Sequence, residues 1–254
     1  MAIYENFSQV YTSLFDTDLY LEWANFVDNQ IRAAFDKSTD QIKLLDLACG
    51  NGSFLEQMLL KGYQQVAGLD LSADMIDLAK QKLNKYNLGL PLVVGDMASF
   101  SLSQPVDVIT ILCDSLCYLA DWPNTKQCLA SAYHSLQPGG LLIFDIHSQK
   151  KINLDFPGYS YIEEWDDLVF TWSSQQYVGP DTIEHVLNIF AKVTDQDYYQ
   201  RFEEVHQERT YPIHQLEAYL NQLGFDQIKV SADFTNRLPD ENSERIFFTA
   251  QKKE

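Results

Sequence analysis

An acidic residue and a glycine turn lie close together near the start of this 254-residue chain. Residues 43–55 have the sequence KLLDLACGNGSFL, in which an apolar run containing Asp46 is followed by Gly50-Asn51-Gly52 and a helical pattern. A buried strand, a glycine turn and a helix present free backbone N–H groups to a ligand. Glycines allow the turn and a close approach of the ligand. The segment therefore predicts a ligand-binding turn, and the Asp46 carboxylate favours a ligand with a positive centre.

The turn matches a dinucleotide-binding fingerprint only in part. That fingerprint, G-x-G-x-x-G, would place its third glycine at the position of Leu55. A pyrophosphate would also lie near the Asp46 carboxylate, which would repel it. An NAD-dependent oxidoreductase is therefore a distant alternative.

Two further acids follow predicted strands. Residues 65–70 predict a second strand that ends at Asp70, 18 residues after Gly52. This is near the spacing at which an acid meets ribose hydroxyls in βαβ units, and a carboxylate can accept hydrogen bonds from both hydroxyls. Ser72 is a plausible N-cap for a helix running to about Asn84. A third strand over 91–97 contains Asp96 near its end.

Four motifs resemble those of the class I S-adenosylmethionine (SAM)-dependent methyltransferases. Residues 46–52, DLACGNG, resemble the first motif, with Ala48 where the pattern usually has glycine. Residues 70–75, DLSADM, resemble the second, and 95–97, GDM, the third. The loop 113–119 resembles the fourth, and the Pro-Gly-Gly turn at 138–140 is also typical. The resemblance covers residues 42–147.

The resemblance implies SAM as cofactor and a role for each matching residue. Asp70 would bind the ribose, Leu71 and Met75 would wall the adenine or ribose, and Asp96 with the Met97 backbone would bind adenine. The other implied cofactor residues are Asp46, Ala48, Cys49, Gly50, Gly52, Cys113 and Asp114.

Residues near the methyl group follow from the order of the strands. Ligands of open α/β sheets bind outside the carboxyl ends of the strands, near the switch point. Because the fourth strand lies beside the first in the family, the resemblance implies that the loop after the fourth strand faces the methyl group, with Asp114, Ser115 and Tyr118 toward the acceptor. His147, just after the fifth strand, is the best-placed general base, and His185 and His206 are further candidates. The catalytic prediction is His147, Asp114 and Tyr118.

The predicted fold class is α/β. We expect a doubly wound, mostly parallel seven-stranded sheet with helices on both faces and an inserted antiparallel β subdomain. The predicted domains are an N-terminal helical lid (1–38), a Rossmann-like core (39–148 and 211–254) and the insertion (149–210). Residues 183–193 place apolar side chains on one parity, as a half-buried antiparallel strand should.

Two parts of this organisation have more than one interpretation. The N-terminal aromatic residues Tyr4, Tyr11 and Trp23 would cover the cofactor if the first helices form a lid, or else simply pack on the sheet. The insertion would cover the acceptor pocket, or else serve dimerisation or stability.

Composition excludes several classes of protein. The chain has 36 acidic and 18 basic residues and a net charge of −18, which makes a nucleic-acid partner unlikely. The apolar runs are too short to span a bilayer, and no signal peptide is visible, so we expect a cytoplasmic protein that does not bind membranes. Cys49, Cys113, Cys117 and Cys128 lack zinc-site spacing and predict reduced thiols and no metal.

The sequence thus predicts a SAM-dependent methyltransferase that acts on a small molecule by direct in-line displacement. The product of the cofactor would be S-adenosylhomocysteine (SAH). An RNA or tRNA base methyltransferase and a SAM-binding, non-catalytic regulator remain alternatives. A monomer and a homodimer are both compatible with the sequence.

Overall fold

Two β-sheets organise the chain, one with seven strands and one with four. The computed structural model describes residues 17–193 and 198–254. The seven-stranded sheet is mostly parallel, and the four-stranded sheet is antiparallel, which confirms the predicted fold class. The first part of the expected lid, with Tyr4 and Tyr11, lies outside the described residues.

The helices and strands follow the predicted order. The first sheet contains β1 (Lys43–Leu47), β2 (Gln65–Asp70), β3 (Leu92–Val94), β4 (Val106–Ile111), β5 (Leu136–His147), β10 (Phe225–Ala232) and β11 (Arg245–Lys252). The second contains β6 (Ser160–Trp165), β7 (Leu168–Gln176), β8 (Thr182–Lys192) and β9 (Tyr199–Arg209). The α-helices within the described ranges are α1 (Thr17–Ala34), α2 (Ser53–Leu60), α3 (Ala73–Leu83), α4 (Trp122–Ser135) and α5 (Ile213–Leu223). None of the described helices is long and apolar enough to cross a bilayer.

The first sheet has the strand order β10-β11-β5-β4-β1-β2-β3. Strand β1 pairs in parallel with both β2 and β4, so the strand order reverses beside β1. Strand β11 is antiparallel to both β5 and β10. The carboxyl ends of β1, β2, β4 and β5 therefore meet at one edge of the sheet, where such folds bind ligands.

Alternate residues of the central strands form two cores. Leu44 of β1 packs with α1, α2 and α3 on one face, whereas Leu45 and Leu47 pack with α4 and α5 on the other. Both faces are covered, which explains why these parallel strands are nearly continuous apolar runs. The core fixes the strand ends from which the site residues project.

Helix boundaries depend on local capping. Helix α3 begins as predicted, because the Ser72 hydroxyl accepts a hydrogen bond from the Met75 N–H at 3.3 Å. Helix α4 begins at Trp122. The Asp121 carboxylate caps the helix by accepting from the Asn124 N–H at 2.9 Å, and Pro123 lies in its first turn.

The boundaries of β3, β5 and β10 place nearby residues outside or inside the sheet. Strand β3 was expected over 91–97 but ends at Val94, before Asp96. Strand β5 includes the Pro-Gly-Gly turn, and its pairing with β4 changes register there. Strand β10 ends at Ala232, and the next residues, Asp233 and Phe234, adopt positive φ angles of 51° and 58°.

The second sheet turns one face toward the first. In β9 the side chains of Glu204, His206 and Glu208 are more buried than those of their neighbours Glu203 and Val205. The cross-strand partner of His206 is His185 of β8, so both histidines lie on the same face. The alternation of side chains along the strands therefore creates an inner face that carries titratable groups.

Candidate active site

A cavity of about 520 Å³ lies between the carboxyl edge of the first sheet and the inner face of the second. Its volume is in the range of roughly 300–1,000 Å³ that is usual for small-molecule sites. The predicted site residues that line it are Trp23, Asp46, Ala48, Cys49, Gly50, Asp70, Met75, Cys113, Asp114, Tyr118 and His147. The structure therefore brings together both predicted ends of the site, the cofactor turn and the residues near the acceptor.

The glycine turn depends on left-handed backbone conformations. Gly50 and Gly52 have φ angles of 53° and 77°, and Ala48 has 56°. A Cβ atom at Gly52 would lie 3.1 Å from Leu83 Cδ1, so this position has little room for a side chain. Ala48 occupies the position where the family pattern has glycine, and its positive φ is strained by about 1 kcal/mol.

The Asp70 carboxylate connects the turn to the end of β2. One oxygen accepts from the Gly50 N–H and the other from the Ser72 N–H, each at 2.8 Å. Each oxygen retains a second lone-pair direction for a ligand hydroxyl. Asp70 thus holds the turn in place and lines the cavity at the same time.

Asp46 lies deeper, at the end of β1. Its carboxylate accepts a hydrogen bond from the Thr110 hydroxyl of β4 at 2.6 Å, and its side chain is buried. The pKa of Asp46 is raised to about 8, mainly by burial and also by the nearby charges of Asp70 and Asp145, against the lowering effect of the Thr110 hydrogen bond. A ligand with a positive centre beside Asp46 would stabilise its ionised form.

Four predicted cofactor residues do not line this cavity. Gly52 lies behind the turn, against Ala79 and Leu83. Leu71 points into solvent with 75% of its surface exposed. Asp96 is exposed and uses one carboxylate oxygen to accept from the Ala98 N–H at 2.8 Å, and Met97 packs against the core on the α4 side. The adenine contacts of Leu71, Asp96 and Met97 stay predictions.

A buried ionic network supports the acceptor end. The Asp145 carboxylate accepts from the Trp23 indole N–H and from the Asp114 N–H, each at 3.0 Å, and it pairs with the Arg245 guanidinium. Arg245 also lies 2.8 Å from the Asp114 carboxylate and 4.8 Å from the centre of the Trp23 ring. One guanidinium therefore holds α1, β5 and the loop after β4 together.

Three titratable groups converge beside this network. His147 Nε2 lies 3.5 Å from Asp114 Oδ2 and 3.4 Å from Glu208 Oε2, and all three side chains are largely buried. Burial would raise the pKa of Asp114, but the charges and hydrogen bonds of His147 and Arg245 hold it well below its usual range. Asp114 is therefore ionised throughout the physiological pH range.

Glu208 behaves in the opposite way. Burial and the charge of Asp114 raise its pKa to about 7, against the influence of His147, the Tyr118 hydroxyl and His206. Its Oε2 atom is buried and finds no hydrogen-bond partner within residues 17–193 and 198–254. Glu208 is thus a carboxylate that can gain or lose a proton near neutral pH.

His185 faces Glu208 from the neighbouring strand. Its Nδ1 accepts from the Trp172 indole N–H at 3.1 Å, and because an indole nitrogen only donates, the proton of the neutral imidazole must be on Nε2. That Nε2 lies 3.6 Å from Glu208 Oε1 and has no hydrogen-bond partner in the part of the chain that the structure describes. Burial and the charges of His147 and His206 lower the pKa of His185 to about 4, so it is neutral at physiological pH.

The cluster meets the minimum spacing for a metal ion, because one atom each of Asp114, His147 and Glu208 lies within 4.8 Å of the others. Asp114 is already neutralised by Arg245 at 2.8 Å, however. We therefore assign no metal to the cluster. Covalent cysteine chemistry is also disfavoured, since burial raises the pKa of Cys49 and Cys113, and both thiols stay protonated.

Comparisons with known proteins agree with this geometry. Residues 44–140 match the family model described as a methyltransferase domain. The chain is similar to the putative methyltransferase YqeM of Bacillus subtilis (strain 168), with 32% identity over 250 residues that cover 98% of this chain and 97% of that protein. The chain belongs to the class I SAM-dependent methyltransferases.

The similarity extends to the whole fold of this methyltransferase. A SAM-dependent methyltransferase from Clostridium acetobutylicum ATCC 824 aligns with a TM-score of 0.83 and 25% identity, covering 99% of this chain and 100% of that one. SAM is the cofactor. A third relative covers less of the chain: the dTDP-4-amino-2,3,4,6-tetradeoxy-D-glucose N,N-dimethyltransferase of Saccharopolyspora spinosa is 30% identical over 124 residues, which are 49% of this chain and 48% of that protein.

The sequence patterns did not identify three charged residues in or beside this cavity, namely Asp145, Glu208 and Arg245. Asp145 carries a usable signal, because it is a lone acid within the apolar run Leu-Leu-Ile-Phe-Asp-Ile. Glu208 shares the strand parity of His206, which is one of the candidate bases. Arg245 has no signal of its own, since its two partners are distant in sequence.

Proposed function

We propose that this methyltransferase transfers the methyl group of SAM to an amine nitrogen of a small molecule bound between the two sheets. The observation that carries the proposal is the charge of the cavity. Among the described residues that line it, Arg245 is the one lysine or arginine, and it is already paired with Asp145 and Asp114. Carboxylates of Asp114, Glu204 and Glu208 face the same space.

This distribution of charge favours a cationic acceptor over an anionic one. A phosphate or carboxylate in the cavity would find no unpaired cation on the described lining residues, whereas an ammonium group would find carboxylates. The aromatic rings of Tyr118, Phe156 and Trp172 also line the cavity and favour a cation. The S. spinosa relative, whose name specifies an amino-sugar N,N-dimethyltransferase, supports the same class of acceptor.

The cofactor would lie along the first sheet, with its ribose at Asp70 and its methionine part near Asp46 and Cys113. The methyl group would then point toward Asp114, Tyr118 and His147. Holding the acceptor nitrogen in line with the carbon–sulfur bond can supply about 7–11 kcal/mol of the barrier. The SAM sulfonium provides the activated methyl group, so no covalent enzyme intermediate is needed.

In this proposal the N-terminal residues (1–38) act as a lid and the insertion (149–210) as the acceptor-binding subdomain. The inner face of the second sheet lines the cavity, which supports that role for the insertion. The same cavity disfavours the RNA methyltransferase alternative, because a nucleic-acid backbone requires lysine or arginine contacts.

Calorimetric titration with SAM and SAH, followed by transfer of labelled methyl groups to a panel of amines, alcohols and carboxylates, tests the proposal. We expect binding of both cofactor forms and label in amines. Labelling of alcohols or carboxylates alone would contradict the acceptor class. SAM binding without transfer to any compound would favour a non-catalytic regulator.

A further inference from the structure

We propose that Glu208 accepts the proton that an ammonium acceptor must lose before its nitrogen can attack the methyl group. The inference rests on the proposed function and adds the residue that makes the nitrogen nucleophilic. An alkyl ammonium ion has no lone pair, so an enzyme that binds this form needs a proton acceptor within the site.

Geometry selects Glu208 among the carboxylates near the cavity. Its Oε2 is buried and has no hydrogen-bond partner among the described residues, whereas both Asp145 oxygens accept hydrogen bonds and Asp114 pairs with Arg245. Glu204 is more exposed and bonds to His206 at 2.9 Å. Of these four carboxylates near the expected acceptor, Glu208 is therefore the one whose buried oxygen is left for a substrate proton, while Asp46 and Asp70 lie at the glycine turn.

The surroundings of Glu208 allow its protonation near neutral pH. The titratable groups that face it are Asp114, Cys117, Tyr118, His147, His185 and His206, with Arg245 beyond Asp114. The charge of Asp114 favours the protonated form, and the neutral His185 ring adds no positive charge to oppose it. His147 Nε2, at 3.4 Å from Oε2, is placed to take the proton onward.

The reaction is then balanced. Glu208 takes a proton from the ammonium group, R–NH₃⁺, and leaves the neutral amine and a protonated carboxyl group. The nitrogen lone pair forms a bond to the methyl carbon as the carbon–sulfur bond breaks and its electron pair goes to sulfur. The products are R–NH₂–CH₃⁺, SAH and one proton on Glu208, which must leave before the next turnover.

The first test needs no knowledge of the natural acceptor. SAH-loaded protein with ¹³C-labelled glutamate carboxyl groups is titrated by NMR, and Glu208→Gln identifies the Glu208 signal by its loss. Propylammonium serves as the probe. We expect the signal to titrate well above the range of an ordinary glutamate and propylammonium to lower its midpoint by about one pH unit.

Two results of this titration would overturn the proposal. A Glu208 signal that titrates as an exposed glutamate and ignores propylammonium would remove the proton acceptor. A signal that instead shifts with stoichiometric Zn²⁺ or Mn²⁺ and returns with EDTA would make the cluster a metal site.

The second test uses the amines that the wild-type protein methylates. Glu208→Gln should lower kcat about 100-fold at neutral pH with a smaller change in KM, and the loss should shrink as the pH approaches the pKa of the free amine. The control Glu203→Gln lies on the outer face of β9 and should keep wild-type kinetics. A pH-independent loss, or none, would contradict the role of Glu208.

SAM affinity separates the two levels of inference. Glu208→Gln should bind SAM as the wild type does, because its side chain lies on the second sheet, away from the glycine turn. Wild-type protein that binds no SAM would refute the proposed function itself. SAM binding with transfer to alcohols alone would refute the role of Glu208 and leave methyl transfer intact.

Discussion

The cofactor end and the acceptor end of the cavity are built in different ways. Most of the expected cofactor end comes from one stretch, 46–75, and depends on backbone N–H groups, a glycine turn and the carboxylate of Asp70. The acceptor end depends on side chains from segments far apart in sequence, and Asp114 lies 131 residues before Arg245. A short motif can encode the first arrangement, whereas only the folded chain creates the second.

Replacing Arg245, the cation at the acceptor end, should produce the largest loss of stability. Arg245→Met removes the guanidinium that lies between the buried carboxylates of Asp145 and Asp114, and we expect it to lower the free energy of unfolding by about 3–5 kcal/mol. Urea denaturation followed by circular dichroism measures the change.

The matched control is Arg237→Met, because that guanidinium also pairs with two carboxylates, Asp233 and Asp240, but is exposed. We expect a cost below about 1 kcal/mol there. Equal costs for the two variants would mean that the buried network contributes no more to stability than a surface pair.

A substitution of Asp70, at the cofactor end, should weaken the binding of SAM. Asp70→Ala removes the expected ribose hydrogen bonds and frees the N–H groups of Gly50 and Ser72. We expect SAM to bind about 100-fold more weakly, which corresponds to about 2.7 kcal/mol. Calorimetry of Asp77→Ala, an exposed acid on α3, provides the control, and unchanged affinity in Asp70→Ala would refute the ribose assignment.

The pH dependence of stability should reveal the cost of ionising the buried Glu208 side chain. Its folded-state pKa of about 7 lies above the value of 4.5 for an ordinary glutamate, so ionisation of Glu208 favours the unfolded state. The free energy of unfolding therefore falls as the pH rises from 4.5 to about 7. Glu208→Gln should therefore be more stable than the wild type by about 1–3 kcal/mol at pH 8, and the gain should vanish below about pH 4.5.

Urea denaturation across this pH range measures the difference, with Glu203→Gln as the exposed control. A Glu208→Gln variant that is less stable than the wild type at pH 8 would show that Glu208 stabilises the fold in its ionised form.

The smallest expected effect concerns the turn. Ala48→Gly relieves about 1 kcal/mol of left-handed strain but adds about 0.4–1 kcal/mol of unfolded-state entropy, so stability should stay the same or rise slightly. Gly52→Ala should lose more than 1 kcal/mol, because its Cβ would also meet Leu83 and Ala79. Thermal denaturation measures the stability of both variants. A loss of stability of similar size in both would contradict this account of the turn.

The sequence predicted the fold class, the cofactor and the two-sheet arrangement, because periodicity and short motifs are local properties. It also placed His147, Asp114 and Tyr118 beside one cavity. The Arg245–Asp145 ion pair could not be predicted, since it requires β11 to pair antiparallel with β5, which brings Arg245 opposite His147. Glu208 required the register of β8 and β9, which no local pattern specifies.

The packing of Trp23 gives this protein a built-in optical reporter. Of its four tryptophans, Trp23 and Trp172 line the cavity, the first beneath the Arg245 guanidinium and the second bonded to His185. Their emission depends on the charges beside the indole rings. Occupancy of the cofactor and acceptor ends can therefore be followed by intrinsic fluorescence, with Trp23→Phe and Trp172→Phe separating the two signals.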